Sequence, residues 1–102
     1  MRKLHSINKS PSHSSALATC LASISAQSAI ILIEDGVYAA LANYSEGVSL
    51  IGKKIDIKYY ALRADLEARG LSMEVLDQRV EVIDYMRFVG LVEKFDGFVA
   101  WS

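Results

Sequence analysis

The sequence predicts a single α/β domain, with about five parallel strands in one sheet flanked by helices. Three observations carry this. Ala29-Ile30-Ile31-Leu32-Ile33 is a short, wholly apolar, β-branched run that ends on Glu34-Asp35-Gly36. Such a run reads as a strand covered on both faces, the middle of a parallel sheet. Strand-like and helix-like segments alternate along the chain with short connections, the pattern of parallel strands joined by right-handed crossovers. Finally, 102 residues have room for one core and no second. The polar end of the central strand is its carboxyl end, where open α/β sheets place their working crevices.

Taken in order, residues 3–8 form a first strand through Leu4 and Ile7. Asn8-Lys9-Ser10-Pro11 turns the chain, and Ser10 before Pro11 suits an N-cap with proline at the first helical position. Leu17, Cys20, Leu21 and Ile24 recur at helical spacing and predict a helix over 12–25 with one apolar face. Gln27-Ser28 leads into the central strand, 29–34. Asp35-Gly36 then supplies a turn and a helix cap. Val37 to Ala42 is apolar on every side, which describes a helix buried from more than one direction. The sheet covers one side of it and something else covers the other.

Asn43 to Lys54 is mostly polar, with Gly47 and Gly52, and reads as a loop with room for one helical turn. Ile55-Asp56-Ile57-Lys58-Tyr59 alternates apolar and polar residues, a strand with one wet face. On that face Asp56 and Lys58 would discourage edge-to-edge pairing. Ala61 to Arg69 is helical, with Leu62 and Leu66 inward, Asp65 facing Arg69 at i,i+4, and Gly70 at the C′ position. Val80 to Ile83 is the fourth strand. Asp84 caps a helix carrying Tyr85, Phe88, Val89 and Val92, and Asp96-Gly97 turns into a last strand, Phe98 to Trp101.

Composition excludes several function classes. Eleven basic and 12 acidic residues nearly cancel, and no basic stripe marks a nucleic-acid footprint. Lys53, Lys54 and Lys58 read as a solvated loop and strand edge. The single cysteine rules out an internal disulfide and fits a reducing compartment. The basic start lacks an apolar signal segment, and no apolar run approaches the ~18–20 residues of a membrane span. The expectation is a soluble, cytoplasmic protein. A hydrophobic content of 52% in so small a chain leaves apolar surface for a partner.

Chemistry has few candidates. Cys20 is the only nucleophile of note, but it lies on the stripe of Leu17, Leu21 and Ile24, where a cysteine packs as a small apolar residue. It also sits in the third helical turn, past the reach of the helix dipole. His13 would be about 10.5 Å away along that helix, too far for a dyad. Glu34 and Asp35 point to opposite faces of a strand and cannot share one proton. His5, His13 and Cys20 are too few and wrongly spaced for a metal, and no phosphate-binding or dinucleotide motif implies a cofactor. The sequence lacks the parts of a self-sufficient enzyme.

Ile7-Asn8-Lys9-Ser10-Pro11, Cys20-Leu21 and Leu32-Ile33-Glu34-Asp35-Gly36-Val37-Tyr38-Ala39-Ala40 nevertheless resemble the DsrH/TusB family of sulfur-relay subunits. Tyr60-Ala61-Leu62, Asp65 to Leu71, Val82 to Tyr85, Phe88-Val89 and Trp101 extend the resemblance over essentially the whole chain. It implies a DsrE-like fold and a paired heterotrimer with two partners, one DsrE/TusD-like and one DsrF/TusC-like. Such complexes pass persulfide sulfur toward 2-thiolation of the tRNA wobble uridine or within dissimilatory sulfur oxidation. The first needs no specialised metabolism and is the expected one. The resemblance implies that the principal sulfur-carrying cysteine belongs to the DsrE/TusD-like partner, with Cys20 as an auxiliary persulfide site. It also supplies a partner for the apolar segment, with Val37, Tyr38 and Leu41 as its interface. The alternative from another class is an α/β binding domain that self-associates without sulfur chemistry.

Overall fold

The computed structural model describes residues 1–44 and 56–102. Five strands, β1 (Lys3–Ile7), β2 (Ala29–Leu32), β3 (Lys58–Leu62), β4 (Val80–Ile83) and β5 (Gly97–Trp101), form one sheet in the order β4-β3-β2-β1-β5. Every pairing is parallel. Three α-helices join them, α1 (Ala16–Ser23), α2 (Arg63–Ala68) and α3 (Tyr85–Lys94), together with a 3₁₀ helix over Glu34–Ala40 and a short one over Met73–Val75. The α/β sheet expected from the sequence is present, and β2 is its middle strand with all four residues buried.

The sheet separates two cores. On one face Ile7, Ile30, Leu32, Tyr59 and Ala61 pack with Leu17, Cys20 and Ile24 of the α1 segment, Val37 of the 3₁₀ helix and Leu66 of α2. On the other, Leu4, Ala29, Ile31, Tyr60 and Ile83 meet only Leu91 of α3 as a fully buried helical partner, with Phe88 and Phe95 partly buried beside it. Burying a Leu or Ile stabilises by roughly 1.5–3 kcal/mol, so the first core holds most of the fold's apolar energy. Tyr85, Met86, Val89 and Val92 leave the outer side of α3 exposed and apolar, joined at the sheet's edge by Phe98.

Two glycines are dictated by geometry. The backbone of Gly36 lies against the end of β1, where an added Cβ would overlap the Ile7 carbonyl oxygen and stand 2.7 Å from its carbon. Gly70 has φ +68° and ends α2 in a Schellman motif: its N–H donates to Glu67 O at 3.1 Å, and Leu71 N–H donates to Leu66 O at 3.0 Å. At α3 the Asp84 side chain accepts from Arg87 N–H at 2.8 Å, the cap expected from the sequence.

Several expected boundaries move. Helix α1 begins at Ala16 with Ser15 as its N-cap residue, so Ser10 and Pro11 do not start it. The intervening serines bond locally instead: Ser12 N–H reaches Ser10 Oγ at 3.4 Å and Ala16 N–H reaches Ser14 Oγ at 3.1 Å. Such bonds compete with helix formation. The segment expected as a helix over 37–42 is the 3₁₀ helix that opens at Glu34, with Ile33 at its cap position and no side-chain cap, so Asp35 does not cap it. Strand β3 starts at Lys58 and lies between β2 and β4, which corrects the reading of Asp56 and Lys58 as guards of an open edge. Lys58 instead pairs with Glu81 at 3.4 Å. Ala61 and Leu62 end β3, so α2 starts only at Arg63. The expected loop over 43–54 and Ile55 fall mostly outside the described residues.

Candidate functional site

Parallel pairing sends the carboxyl ends of all five strands to one side of the sheet. There the loop after β1 meets the turn after β2. Ser10, Ser12, His13, Asp35, Tyr38 and Tyr44 line a cavity of about 370 Å³. It adjoins a larger one of about 670 Å³ along α1, which shares Ser12, His13 and Tyr44 and is floored by Leu17, Ala18 and Leu21. Ser10 Oγ and Ser12 Oγ lie 2.9 Å apart, and Ser12 Oγ lies 2.9 Å from His13 Nδ1. The Asn8 side-chain oxygen is buried close by, with no hydrogen-bond partner among the described residues.

A charged clamp fixes the turn. Glu34 has φ +48°, a left-handed conformation that costs a residue with a Cβ about 1–2 kcal/mol. Its N–H donates to Asp65 Oδ2 at 2.7 Å. Arg69 donates from Nε and Nη2 to Asp35 Oδ1 at 2.9 and 2.8 Å, and from Nη1 to the Asp65 carbonyl at 3.0 Å. The Asp35 hydrogen bond raises the Arg69 pKa above its ordinary value against an opposing desolvation, so the guanidinium is charged at every accessible pH. The i,i+4 pair Asp65–Arg69, legible in the sequence, is thus half of a network whose other half is Asp35. That half was missed because Asp35 looked like a cap.

Cys20 stands apart from both cavities. It is wholly buried in the core beneath α1, with Leu17 and Ile24 in the same cluster, while the exposed His13 lies before the helix begins. A sulfur donor reaches Cys20 only if α1 opens. The 3₁₀ segment divides its residues between roles. Val37 has no exposed surface: it belongs to this chain's own core, and the expectation that it lies on an interface is corrected. The cover comes from the chain itself, since Leu41 bridges Leu76, and Ala42 N–H and Asp77 N–H bond Val75 O and Ala40 O across the same junction at 3.0 and 2.8 Å. Tyr38 and Leu41 keep partial exposure. Among the described residues, no three His, Cys, Asp or Glu side chains group as a metal site.

A family model described as DsrH like protein matches residues 9–97. The chain belongs to the DsrH family. DsrH-family relatives named Protein TusB include one from Pectobacterium parmentieri, 38% identical over 96% of this chain and 99% of its own length. Another, from Escherichia coli O157:H7, is 37% identical over the same shares. Among solved structures, Protein Tm0979 from Thermotoga maritima superposes with a TM-score of 0.64 at 27% identity, covering 90% of this chain and 92% of its own. The ychN protein from E. coli gives 0.72 at 15% identity over 98% of both chains, a likeness of fold. The DsrH-family chain has, among its described residues, no helix long and apolar enough to cross a membrane.

Proposed function

We propose that this chain is a subunit of a sulfur-relay complex that passes persulfide sulfur toward 2-thiolation of the tRNA wobble uridine. Its role there is architectural, beside a DsrE/TusD-like and a DsrF/TusC-like subunit in a paired heterotrimer. The near full-length match to TusB relatives carries the reading. One feature of the chain supports its architectural half: the only cysteine is buried, and the described lining of the carboxyl-end cavities holds serines, tyrosines and His13 but no thiol. An exposed apolar helix face on α3 and the partly exposed Tyr38 and Leu41 offer surface for partner subunits.

Reconstitution with TusD-like and TusC-like proteins tests the assembly. The expected result is one complex by size-exclusion chromatography, weakened by Tyr38→Asp. A chain that forms only a homo-oligomer and ignores both proteins supports self-association instead. Intact mass after treatment with a persulfide donor tests the role of Cys20. No added sulfur on the folded chain is expected, and a 32 Da gain absent from Cys20→Ser would make Cys20 a carrier, with 32 Da the mass of one sulfur atom added by group transfer (~32 Da). The sulfur-oxidation reading predicts transfer to partners of that pathway and no dependence of tRNA thiolation on this chain.

A further inference from the structure

The last strand pairs with the first along Lys3 to Ile7, and the chain's only tryptophan adds a side-chain bond between them. Trp101 ends β5 and His5 lies in the middle of β1, 96 residues earlier. The indole Nε1–H donates to His5 Nδ1 at 3.0 Å, with the rings 6.2 Å apart. An indole nitrogen has only a proton to offer, so Nδ1 must accept and the imidazole proton sits on Nε2. Adding a proton to Nδ1 would set two donors against each other, and one must leave.

Among the described residues, those lining the space beside His5 offer the imidazolium no countercharge. A cavity of about 430 Å³ beside His5 is lined by Met1 and Lys3, by Ser23 and Ser25 at the end of α1, and by Val99 and Trp101 of β5. From β2 its register partner is Ile30. The charged groups in this set are the Lys3 ammonium and the Met1 amine, both positive. His5 is only 8% exposed, and β5 is hydrogen-bonded on one side only, with alternate residues open to solvent. Like β4 it is an edge strand, held by one neighbour only.

We propose that the His5–Trp101 contact is a proton-operated latch: protonating His5 releases Trp101 and the carboxyl end of β5, while β1 to β4 stay paired. Burial, and secondarily Lys3, hold the imidazole below its ordinary value of 6.5, so the latch is closed at neutral pH and opens under mild acid.

Because Trp101 is the only tryptophan, its fluorescence in the full chain reads the latch directly. Lowering the pH from about 8 to about 5 is expected to shift the emission with a midpoint below 6.5, the ordinary histidine value, while far-UV circular dichroism stays constant. In His5→Asn the amide oxygen accepts the indole N–H and does not titrate, so the shift is lost. Lys3→Gln moves the midpoint up. A shift that survives in His5→Asn, one that coincides with loss of circular dichroism, or no shift at all overturns the proposal. Should His5→Asn fail to fold, the imidazole ¹⁵N spectrum of the unaltered chain at neutral pH decides: a proton on Nε2 of His5 supports the latch, and one on Nδ1 overturns it.

Discussion

A Cβ on Gly36 would run into the backbone of Ile7, whose carbonyl also accepts the Ile33 N–H at 3.0 Å. Neither partner is the free end of a side chain, so the collision cannot be relieved by a rotamer change. Gly36→Ala is expected to cost about 3 kcal/mol, measured as a lower urea midpoint with an unchanged slope. Two residues earlier the sign reverses. Glu34 is held at φ +48° with its side chain exposed, and Glu34→Gly keeps the N–H bond to Asp65 while removing the strain. It is expected to leave stability unchanged or raise it by up to ~1 kcal/mol in the same assay. Gly36 was legible in the sequence as a turn residue, whereas its contact with β1 was not, because nothing local encodes how close two strands' ends approach.

Among the elements, those with self-contained signals match the sequence reading. The wholly apolar β2, the Asp84 cap and the Gly70 terminus each rest on residues within a few positions of one another. Asp84→Ala removes the only side-chain cap found on the three α-helices and is expected to cost about 1 kcal/mol, read from the thermal midpoint. Elements defined by distant neighbours were misread. The alternation of Ile55 to Tyr59 suggested an exposed face, but β3 lies inside the sheet, where Lys58 finds Glu81 and Glu81 in turn holds Arg87 at 3.1 Å. The all-apolar run after Gly36 suggested a partner chain, yet Leu76 and Leu66 of the same chain share its core. In the candidate site, the Asp65–Arg69 spacing showed one contact of the clamp, and the Asp35 contact spans 34 residues that no helical period connects.

Stability of the whole molecule is tied to pH through His5. Its native pKa is lowered, so below about 6.5 the unfolded chain binds more protons than the folded one. The stabilisation is complete above the ordinary histidine value and falls as the pH drops through it toward the native value. Urea midpoints are therefore expected to decrease from about pH 7.5 to about pH 5.5, a window above the ordinary carboxylate range, and His5→Asn should flatten that slope. No decrease would mean that the imidazole is solvated and uncoupled from folding.

The order β4-β3-β2-β1-β5 also has a consequence for biosynthesis. Strand β1 is made before the other four strands, but the neighbour on its outer side is the last of the five, with Lys3 pairing Gly97 and Ile7 pairing Trp101. Until β5 is made, the nascent sheet can be completed on one flank only. Its other flank waits, unpaired and with Lys3 as the one lysine along Lys3–Ile7, until β5 is made. A chain lacking β5 would thus present an open template for aggregation along β1.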